Sequence, residues 1–480
     1  MIQVGIIGSG FIGPAHLEAL RRVGDIEVVA LCDGSLEMAQ QKARQLNVAH
    51  AYGSVEALLA HPGLQVVHNC TPNHLHARIN RQILSAGLHV FSEKPLCMTA
   101  EEARELVALA ESAGVIHGVS FVYRQFAMVQ QAAAMMRNGD VGRLFAVHGS
   151  YLQDWMLLET DYNWRVDSAL GGASRAMADI GSHWCDTVQF MTGRRIVEVM
   201  ADLSIVWPTR QAPVAGDATF SQHRDDIAYE ARPVDTEDLG SVLFRFDDGS
   251  KGSFIVSQVS AGRKNGLTVE IGGSRCSLAW DQELPQRLWI GHRQGPNQLL
   301  SDDPSLMLGE AAASAHFPGG HNEGWPDAFK NMMLSFYQAV RAGEMPPASS
   351  RRFASFYEGG GRDVHHCGDS EKPSAAALGE GGKISPKARC AFRAPAGLFH
   401  AKIAVEIRSG QFITEQHGVF IFHFVIPFIA DVAGKCVLGF CALSHLLPDC
   451  VGGTAGVAFA HPRLSVLLAA GIDIGKVRQI

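Results

Sequence analysis

The stretch GIIGSGFIG, Gly5 to Gly13, decides the fold. An apolar run from Ile2 to Ile7 meets Gly8-x-Gly10-x-x-Gly13, and the amphipathic pattern GPAHLEALRRV follows at once. A buried strand turning sharply into a helix needs this grammar. Gly8 allows the tight turn, Gly10 lets backbone approach a pyrophosphate, and Gly13 lets the helix pack on the strand. The helix N-terminus then offers amide donors and positive potential to phosphates. Three glycines alone do not settle the matter, because such turns also serve simply to tighten a strand–helix junction. Asp33 adds to them. It closes the second apolar run, IEVVALCD, 20 residues after Gly13. Its carboxylate suits both ribose hydroxyls and repels a 2′-phosphate, and no arginine stands in the next few positions, which favours NAD over NADP.

Outward from this loop, apolar runs alternate with helical patterns to about Ser120. LQVVHNCT, LHVFSE and VIHGVSFVY read as strands; SLEMAQQKARQLN, HLHARINRQILSAG and TAEEARELVALAESAG read as helices. Such alternation predicts βαβ units and a parallel sheet covered on both faces. Thr99 and Glu102 have capping-box spacing. From about Val122 the grammar changes. FAMVQQAAAMMRNGDVG predicts one helix and RLFAVHGSYLQD a strand. SVLFRFDDGSKGSFIVSQVS and LTVEIGGSRCSLAW predict hairpins, and DAFKNMMLSFYQAVRAG a helix stopped at Gly343. Three regions result: an α/β Rossmann domain over 1–121, an α+β domain with an open, mostly antiparallel sheet over 122–358, and an unassigned tail over 359–480.

Composition narrows the function classes. The chain has 480 residues, is 47% hydrophobic and carries a net charge of -7, so it has no basic footprint for nucleic acid. The start, MIQVGIIGSGF, has no basic segment ahead of its apolar run and reads as a strand. The ten cysteines form no CxxC pair, which points to a reducing cytoplasm. His365, His366 and Cys367 have no partner ligands at useful spacing, so no metal site is expected.

Two polar loops carry the remaining chemistry. TPNHLH follows the strand at Val66 to Cys70, at the carboxyl end of the sheet where ligands bind, and offers Thr71, Asn73 and His76. A turn with an N-cap explains Pro72 and Asn73 equally well. Ser-Glu-Lys-Pro occurs twice, at Ser92 to Pro95 and at Ser370 to Pro373. The first copy ends a strand; the second has no strand before it and reads as chance. DIGSHWCD sets Asp179 and His183 four apart, on one face if helical. By spacing alone, the aspartate reads as a helix cap.

In this order GSGFIG, TPNHLH, SEKPL and DIGSHWCD resemble the glucose–fructose oxidoreductase, inositol dehydrogenase and rhizopine catabolism (Gfo/Idh/MocA) family, from Met1 to about Glu358. The resemblance implies a Rossmann domain, a second domain with an open sheet that mediates dimers or tetramers, and an active site between them. It implies hydride transfer between NAD and a secondary alcohol or carbonyl of a sugar, inositol or related polyol. Lys94, Asp179 and His183 become the catalytic group. His183 is the candidate base, since its ordinary pKa lies near working pH. Lys94 would hydrogen-bond the reacting oxygen; Asp179 would position substrate and Lys94 or orient the histidine. Phe11, Ile12, Glu93 and Arg124 join the glycines, Asp33, Thr71, Asn73, His76 and Lys94 as cofactor candidates. Trp164, Arg165 and His321 join the catalytic group as substrate candidates. Trp184 and Cys185 read as core, and Asp186 as a substrate or structural partner. Two other readings stay open: an NAD-dependent glycoside hydrolase on the same fold, and a non-catalytic NAD-binding sensor. The sequence does not identify the sugar or the direction of reaction.

The tail breaks with all of this. Family members continue after a segment like FASFYEG with a helix and a final strand, whereas GGRDVHHCGDSEKPSAAALGEGG departs from that pattern. Five of the ten cysteines lie after Arg351, and no tryptophan follows Trp325. A reading-frame change near Glu358 accounts for the shift and is checked by translating the neighbouring frame of the coding DNA. The rival is an appended domain, membrane-associated through Val419 to Ala430. That apolar run of 13 residues, GVFIFHFVIPFIA, is short of the roughly 20 a membrane helix needs.

Overall fold

Alternation along the first strand explains the first layer. Val4 and Ile6 enter one core cluster, while Ile7 enters another on the opposite face. The computed structural model describes residues 1–214 and 228–360, and beyond them the strands Ile403–Val405, Phe412–Gln416, Val419–Val432, Lys435–Leu446 and Ser465–Leu467. The chain forms two units, Met1–Ser370 and Glu371–Ile480.

The first unit opens with six parallel strands: β1 (Ile2–Ile7), β2 (Ile26–Cys32), β3 (His50–Tyr52), β4 (Val66–Asn69), β5 (His89–Ser92) and β6 (His117–Val119). Their order is β3-β2-β1-β4-β5-β6. Between them run α1 (Ile12–Val23), α2 (Leu36–Leu46), α3 (Val55–Leu59), α4 (Asn73–Ser85) and α5 (Ala100–Ala113). Leu17 and Leu20 of α1 share one core cluster with Val4 and Ile6; Ile79 and Ile83 of α4 and Leu106 of α5 share the other with Ile7. Thr99 caps α5 by accepting from the Glu102 amide at 3.2 Å. The expected return bond goes one residue earlier, from the Met98 amide to Glu102 Oε2 at 3.1 Å. VIHGVSFVY is not one strand. Phe121 N turns back to Val119 O at 2.9 Å, which ends β6, and Val122–Gln125 forms a 3-10 turn.

The second layer begins with α6 (Ala127–Asn138) and β7 (Leu144–Leu152). A short α7 (Ser168–Gly171) and one π-turn, Met177–Gly181, lead into α8 (Ser182–Thr192). Then come β8 (Ile196–Ser204), the small pair β9 (Thr209–Pro213) and β10 (Tyr229–Pro233), β11 (Leu239–Phe246), β12 (Lys251–Ser257), β13 (Gly266–Gly273), β14 (Ser277–Asp281), β15 (Arg287–Gly291) and β16 (Gln298–Ser301). Eight of these strands make one sheet, β16-β15-β14-β13-β7-β12-β11-β8. It is antiparallel except where β7 meets β12. Along β11, Val242, Phe244 and Phe246 point inward while Ser241, Leu243 and Arg245 face out. Trp184 of α8 is core, as the sequence suggests: its ring stacks on Phe254 at 4.2 Å and its Nε1 donates to Thr268 O at 2.9 Å. A Cβ at Gly149 would lie 2.0 Å from that same oxygen, so β7 needs glycine there.

After α9 (Gly309–Ala312), the long α10 (Trp325–Ala342) returns to α1 and packs Phe329, Met333 and Phe336 inward. Val119 then bridges to Ala354, and α11 (Phe356–Gly359) settles beside β6. In the second unit, Val419–Val432 pairs antiparallel with Lys435–Leu446. The run weighed as a membrane segment is therefore strand, and no helix among the described residues is long and apolar enough to cross a membrane. His365, His366, Cys367 and the second Ser-Glu-Lys-Pro lie outside the described residues.

Burial sets the acid response of the first unit. Desolvation pulls His117 down to about 4 and His183 to about 3, and holds His68 well below its ordinary value. Unfolded, each takes a proton near pH 6.5; folded, each stays neutral until far lower. Their stabilisation is complete above about pH 6.5 and is lost as pH falls toward those lowered values. The melting temperature is expected to be lower at pH 5 than at pH 7.5 by differential scanning calorimetry; an equal or higher value at pH 5 contradicts this account.

Candidate active site

The strand order reverses at β1, with β2 on one side and β4 on the other, and a crevice opens where their following loops part. The three glycines have different tasks there. Gly8 takes φ +94°, and a Cβ would lie 2.5 Å from Cys70 O at the end of β4. A Cβ on Gly13 would lie 2.3 Å from Gly8 O. Both positions are closed by backbone. Gly10 meets nothing within 4 Å, so it borders open space, as a phosphate-approach position requires. Asp33 stands beside this loop, accepting from the Ser9 amide at 3.0 Å and the Gly34 amide at 2.6 Å.

The crevice continues into a cavity of about 420 Å³ lined by both layers. Phe11, Ile12, Thr71, Asn73, Glu93 and Lys94 come from the first; Trp164, Arg165, Asp179 and His183 come from the second. The Lys94–Pro95 peptide bond is cis. Lys94 Nζ donates to Asp179 Oδ1 at 2.7 Å and to Asp179 O at 2.9 Å. The other carboxylate oxygen accepts from Gln258 Nε2 at 2.8 Å. Burial opposes the Asp179 charge, yet Lys94 and then Arg165 hold its carboxyl well below the usual range. Asp179 thus pairs with Lys94, and the alternative of orienting the histidine finds no matching contact. The two residues do not share a plain helix either: Asp179 sits in the π-turn and His183 in the first turn of α8. π-turns within helices recur at functional sites.

His183 is wedged edge-on between Phe121 and Tyr123, with ring centroids at 5.6 and 4.9 Å. Burial, then the Lys94 charge, pulls it down to about 3. It is neutral at working pH. That corrects the sequence argument, which favoured it for an ordinary value. Glu93 is charged: burial opposes this, but its interactions with His16, Ser120 and Lys94 together outweigh the penalty and bring it down to about 2. Arg165 packs its guanidinium over Trp164 at 4.6 Å.

Three candidates stand outside both the glycine-loop crevice and the cavity. The two ring nitrogens of His76 lie against Pro95 O (2.6 Å) and Thr71 O (2.7 Å), so this histidine sits between the two polar loops. Arg124 donates to Asp186 through Nε at 2.6 Å and through Nη2, a buried ion pair. They line a separate, larger cavity of about 940 Å³, where Arg351 pairs with Glu358 at 2.7 Å and Arg137 with Glu310 at 2.9 Å, while Arg194 and Arg195 pair with Asp248 and Asp247 outside its lining. His321 is exposed on its loop and bonds Pro318 O. Chemistry, not size, selects the smaller cavity. The sequence missed its far wall: Tyr123, Tyr151, Gln153, Asn265, Trp325 and Phe329. Tyr151 donates to Asn265 Oδ1 at 2.6 Å, and Asn265 Nδ2 donates to Tyr123 at 3.0 Å. These partners lie more than 100 residues apart, so no local pattern announces them.

Residues 2–121 match the oxidoreductase family with NAD-binding Rossmann fold, and residues 129–279 match the GFO/IDH/MocA C-terminal domain. The chain is 30% identical over 298 residues to levoglucosan dehydrogenase of Pseudarthrobacter phenanthrenivorans, covering 60% of this chain and 76% of that one. It belongs to the Gfo/Idh/MocA family. Two solved structures are similar: levoglucosan dehydrogenase with NADH and levoglucosan (TM-score 0.66, 25% identity, 75% of this chain and 93% of that one), and an inositol dehydrogenase homologue of Azotobacter vinelandii with NADH and myo-inositol (TM-score 0.64, 26% identity, 76% and 92%). As a family member the chain is an oxidoreductase of the dehydrogenase and reductase class acting on CH–OH groups. The residues present fit a dinucleotide: open space at Gly10, a carboxylate at the end of β2, and Thr71 and Asn73 after β4.

The glycines separate binding from folding. Gly10→Val is expected to fold normally and weaken NADH binding roughly tenfold or more, because its side chain fills the phosphate approach. Gly13→Val is expected to lower the melting temperature, because its side chain meets Gly8 O. Fluorescence titration and calorimetry read both; unchanged affinity in Gly10→Val defeats the assignment.

Proposed function

We propose that the protein moves hydride between NAD and a secondary alcohol or carbonyl on a sugar, inositol or related polyol. The observation that carries this reading is one cavity holding the Lys94–Asp179 ion pair and a neutral His183, continuous with the glycine loop. Bound NAD accepts the hydride, or returns it, at its nicotinamide. An ammonium has three donors. Two of those on Lys94 go to Asp179, which leaves one for the reacting substrate oxygen. That hydrogen bond stabilises developing alkoxide charge. His183, neutral, has one bare ring nitrogen to accept the hydroxyl proton. The indole of Trp164 offers a flat apolar face to a sugar ring, and Gln153 and Asn265 offer amides to its hydroxyls. Asp33 favours NAD over NADP. The dehydrogenases that resemble the chain, acting by name on levoglucosan, glucosides and glucose 6-phosphate, support a carbohydrate substrate.

Turnover is tested with levoglucosan, glucose and myo-inositol as probes, following NADH. Lys94→Ala is expected to lower kcat/KM by about 10² to 10⁴ while NADH still binds. Full activity in that variant overturns the reading. Glycoside cleavage without net NADH would replace it with a hydrolase.

The proposal includes a homodimer or homotetramer through the uncovered face of the second sheet. Leu243, its register partner Met200 and the neighbouring Ile255 are 53%, 66% and 49% exposed there. Light scattering is expected to give a dimer or tetramer mass that Leu243→Glu reduces; a monomer in the parent protein contradicts it. The unpaired Cys32, Cys70, Cys97, Cys185 and Cys276 suit a reducing compartment such as the cytoplasm.

A further inference from the structure

Behind Asp179 lies a buried string of side chains that touches neither the cavity nor the glycine loop. Gln258 follows β12, is 0% exposed, and is held by backbone bonds to Asp238 O (3.0 Å) and from the Met156 amide (3.1 Å). Its Nε2 donates to Asp179 Oδ2 at 2.8 Å, and its Oε1 accepts from Arg175 Nη1 at 2.9 Å. Arg175 also bonds Asp238 Oδ1, which Arg210 Nη2 reaches at 2.7 Å. Asp238 Oδ2 accepts from the Val206 and Trp207 amides at 2.7 and 3.2 Å. Arg175, Asp238 and Arg210 side chains are all 0% exposed. Charge alternates along the string: Arg210, Asp238, Arg175, then a neutral amide, then Asp179 and Lys94.

Such a cluster is a poor device for stability. Buried ion pairs lose about as much in desolvation as they regain. Here Arg175 Nε and Arg210 Nε also lack partners. Its geometry is better suited to holding something in place. Glu237, beside Asp238, accepts from Ser174 Oγ (2.7 Å), Arg175 N (3.0 Å) and Met177 N (2.9 Å), and so anchors the start of the π-turn.

We propose that Gln258 is a positioning residue for the reaction: it holds one oxygen of the Asp179 carboxylate so that the other faces Lys94, and it ties that orientation to the Arg175–Asp238–Arg210 cluster. This rests on the Lys94–Asp179 reading above. Glutamine suits the post because its amide gives a donor to a carboxylate and an acceptor to a guanidinium at once. An apolar side chain there leaves Asp179 Oδ2 and Arg175 Nη1 bare. A carboxylate there repels Asp179 until it is protonated, when its O–H and C=O reproduce the amide pattern.

The test uses Gln258→Met and Gln258→Glu in the full chain, with whichever probe sugar turns over. Gln258→Met is expected to lower kcat roughly ten- to a hundredfold with NADH affinity unchanged. In Gln258→Glu, the ratio of kcat to wild type is expected to fall as pH rises, since protonation restores the donor. The charged and titratable groups around this position are Asp179 and Arg175, which it bonds; Lys94 after β5, Arg165, His183 of α8, Tyr123 and Tyr151, which interact with Asp179; and Glu237, Asp238 and Arg210 on the Arg175 side. They are common to variant and parent, so the ratio isolates the substituted group. A packing role gives a ratio flat in pH and overturns the proposal, as does kcat within twofold of wild type in both variants. Should Gln258→Met fail to fold by calorimetry, the pH ratio of Gln258→Glu decides alone. Loss of turnover in Lys94→Ala with flat Gln258 profiles defeats only this inference; turnover surviving Lys94→Ala defeats the reading beneath it.

Discussion

The Lys94 ammonium reaches from the end of β5 to the π-turn ahead of α8 and binds Asp179 twice, at its carboxylate and at its backbone carbonyl. The two side chains are 14% and 19% exposed, so each charge has given up most of its water. Each charge is compensated chiefly by the other, since a buried charge left without a partner is costly. The pair therefore ties the first layer to the second at the mouth of the cavity. It also sets the electrostatics of its neighbours. Arg165 and Gln258 complete the hold on Asp179, while the lysine charge, added to burial, keeps His183 unprotonated.

How much of this was legible depends on sequence separation. The glycine loop, the strand–helix alternation and the hairpins are local, and each has a physical grammar that one chain displays. Lys94 and Asp179 were nominated by short motifs, and geometry joined them across 85 residues. Arg124 shows the limit. The family resemblance made it a cofactor candidate, but Asp186, 62 residues on, takes its Nε and Nη2. His76 is similar, since its loop suggested a ligand contact and its ring lies against two backbone carbonyls instead. Gln258 carried no signal at all, because an amide becomes informative only when a carboxylate and a guanidinium stand on its two sides. The parallel pairing of β7 with β12 was equally hidden: hairpin turns predict antiparallel neighbours, and a crossover has no local mark.

The same distinction runs through the apolar run from Val419. Hydropathy alone does not separate a strand from a buried helix of that length. Pairing does, and residues Ile421 to Val432 match Lys435 to Leu446 in unbroken antiparallel register.

His183 shows why geometry has to correct a residue's average chemistry. A histidine attracts attention as a base because its free value lies near neutrality. In this cavity burial and the adjacent Lys94 remove that property, while Asp179 and Glu93 oppose the shift without cancelling it. A proton resting on the imidazole would create a second cation beside the lysine at a buried position. In the proposed reaction, the hydroxyl proton is best accepted by His183 when Lys94 is simultaneously drawn toward the developing alkoxide, because that shared negative charge offsets the new imidazolium. On that proposal the base is made competent by the substrate's own charge change, and the ion pair with Asp179 keeps the lysine where that change occurs.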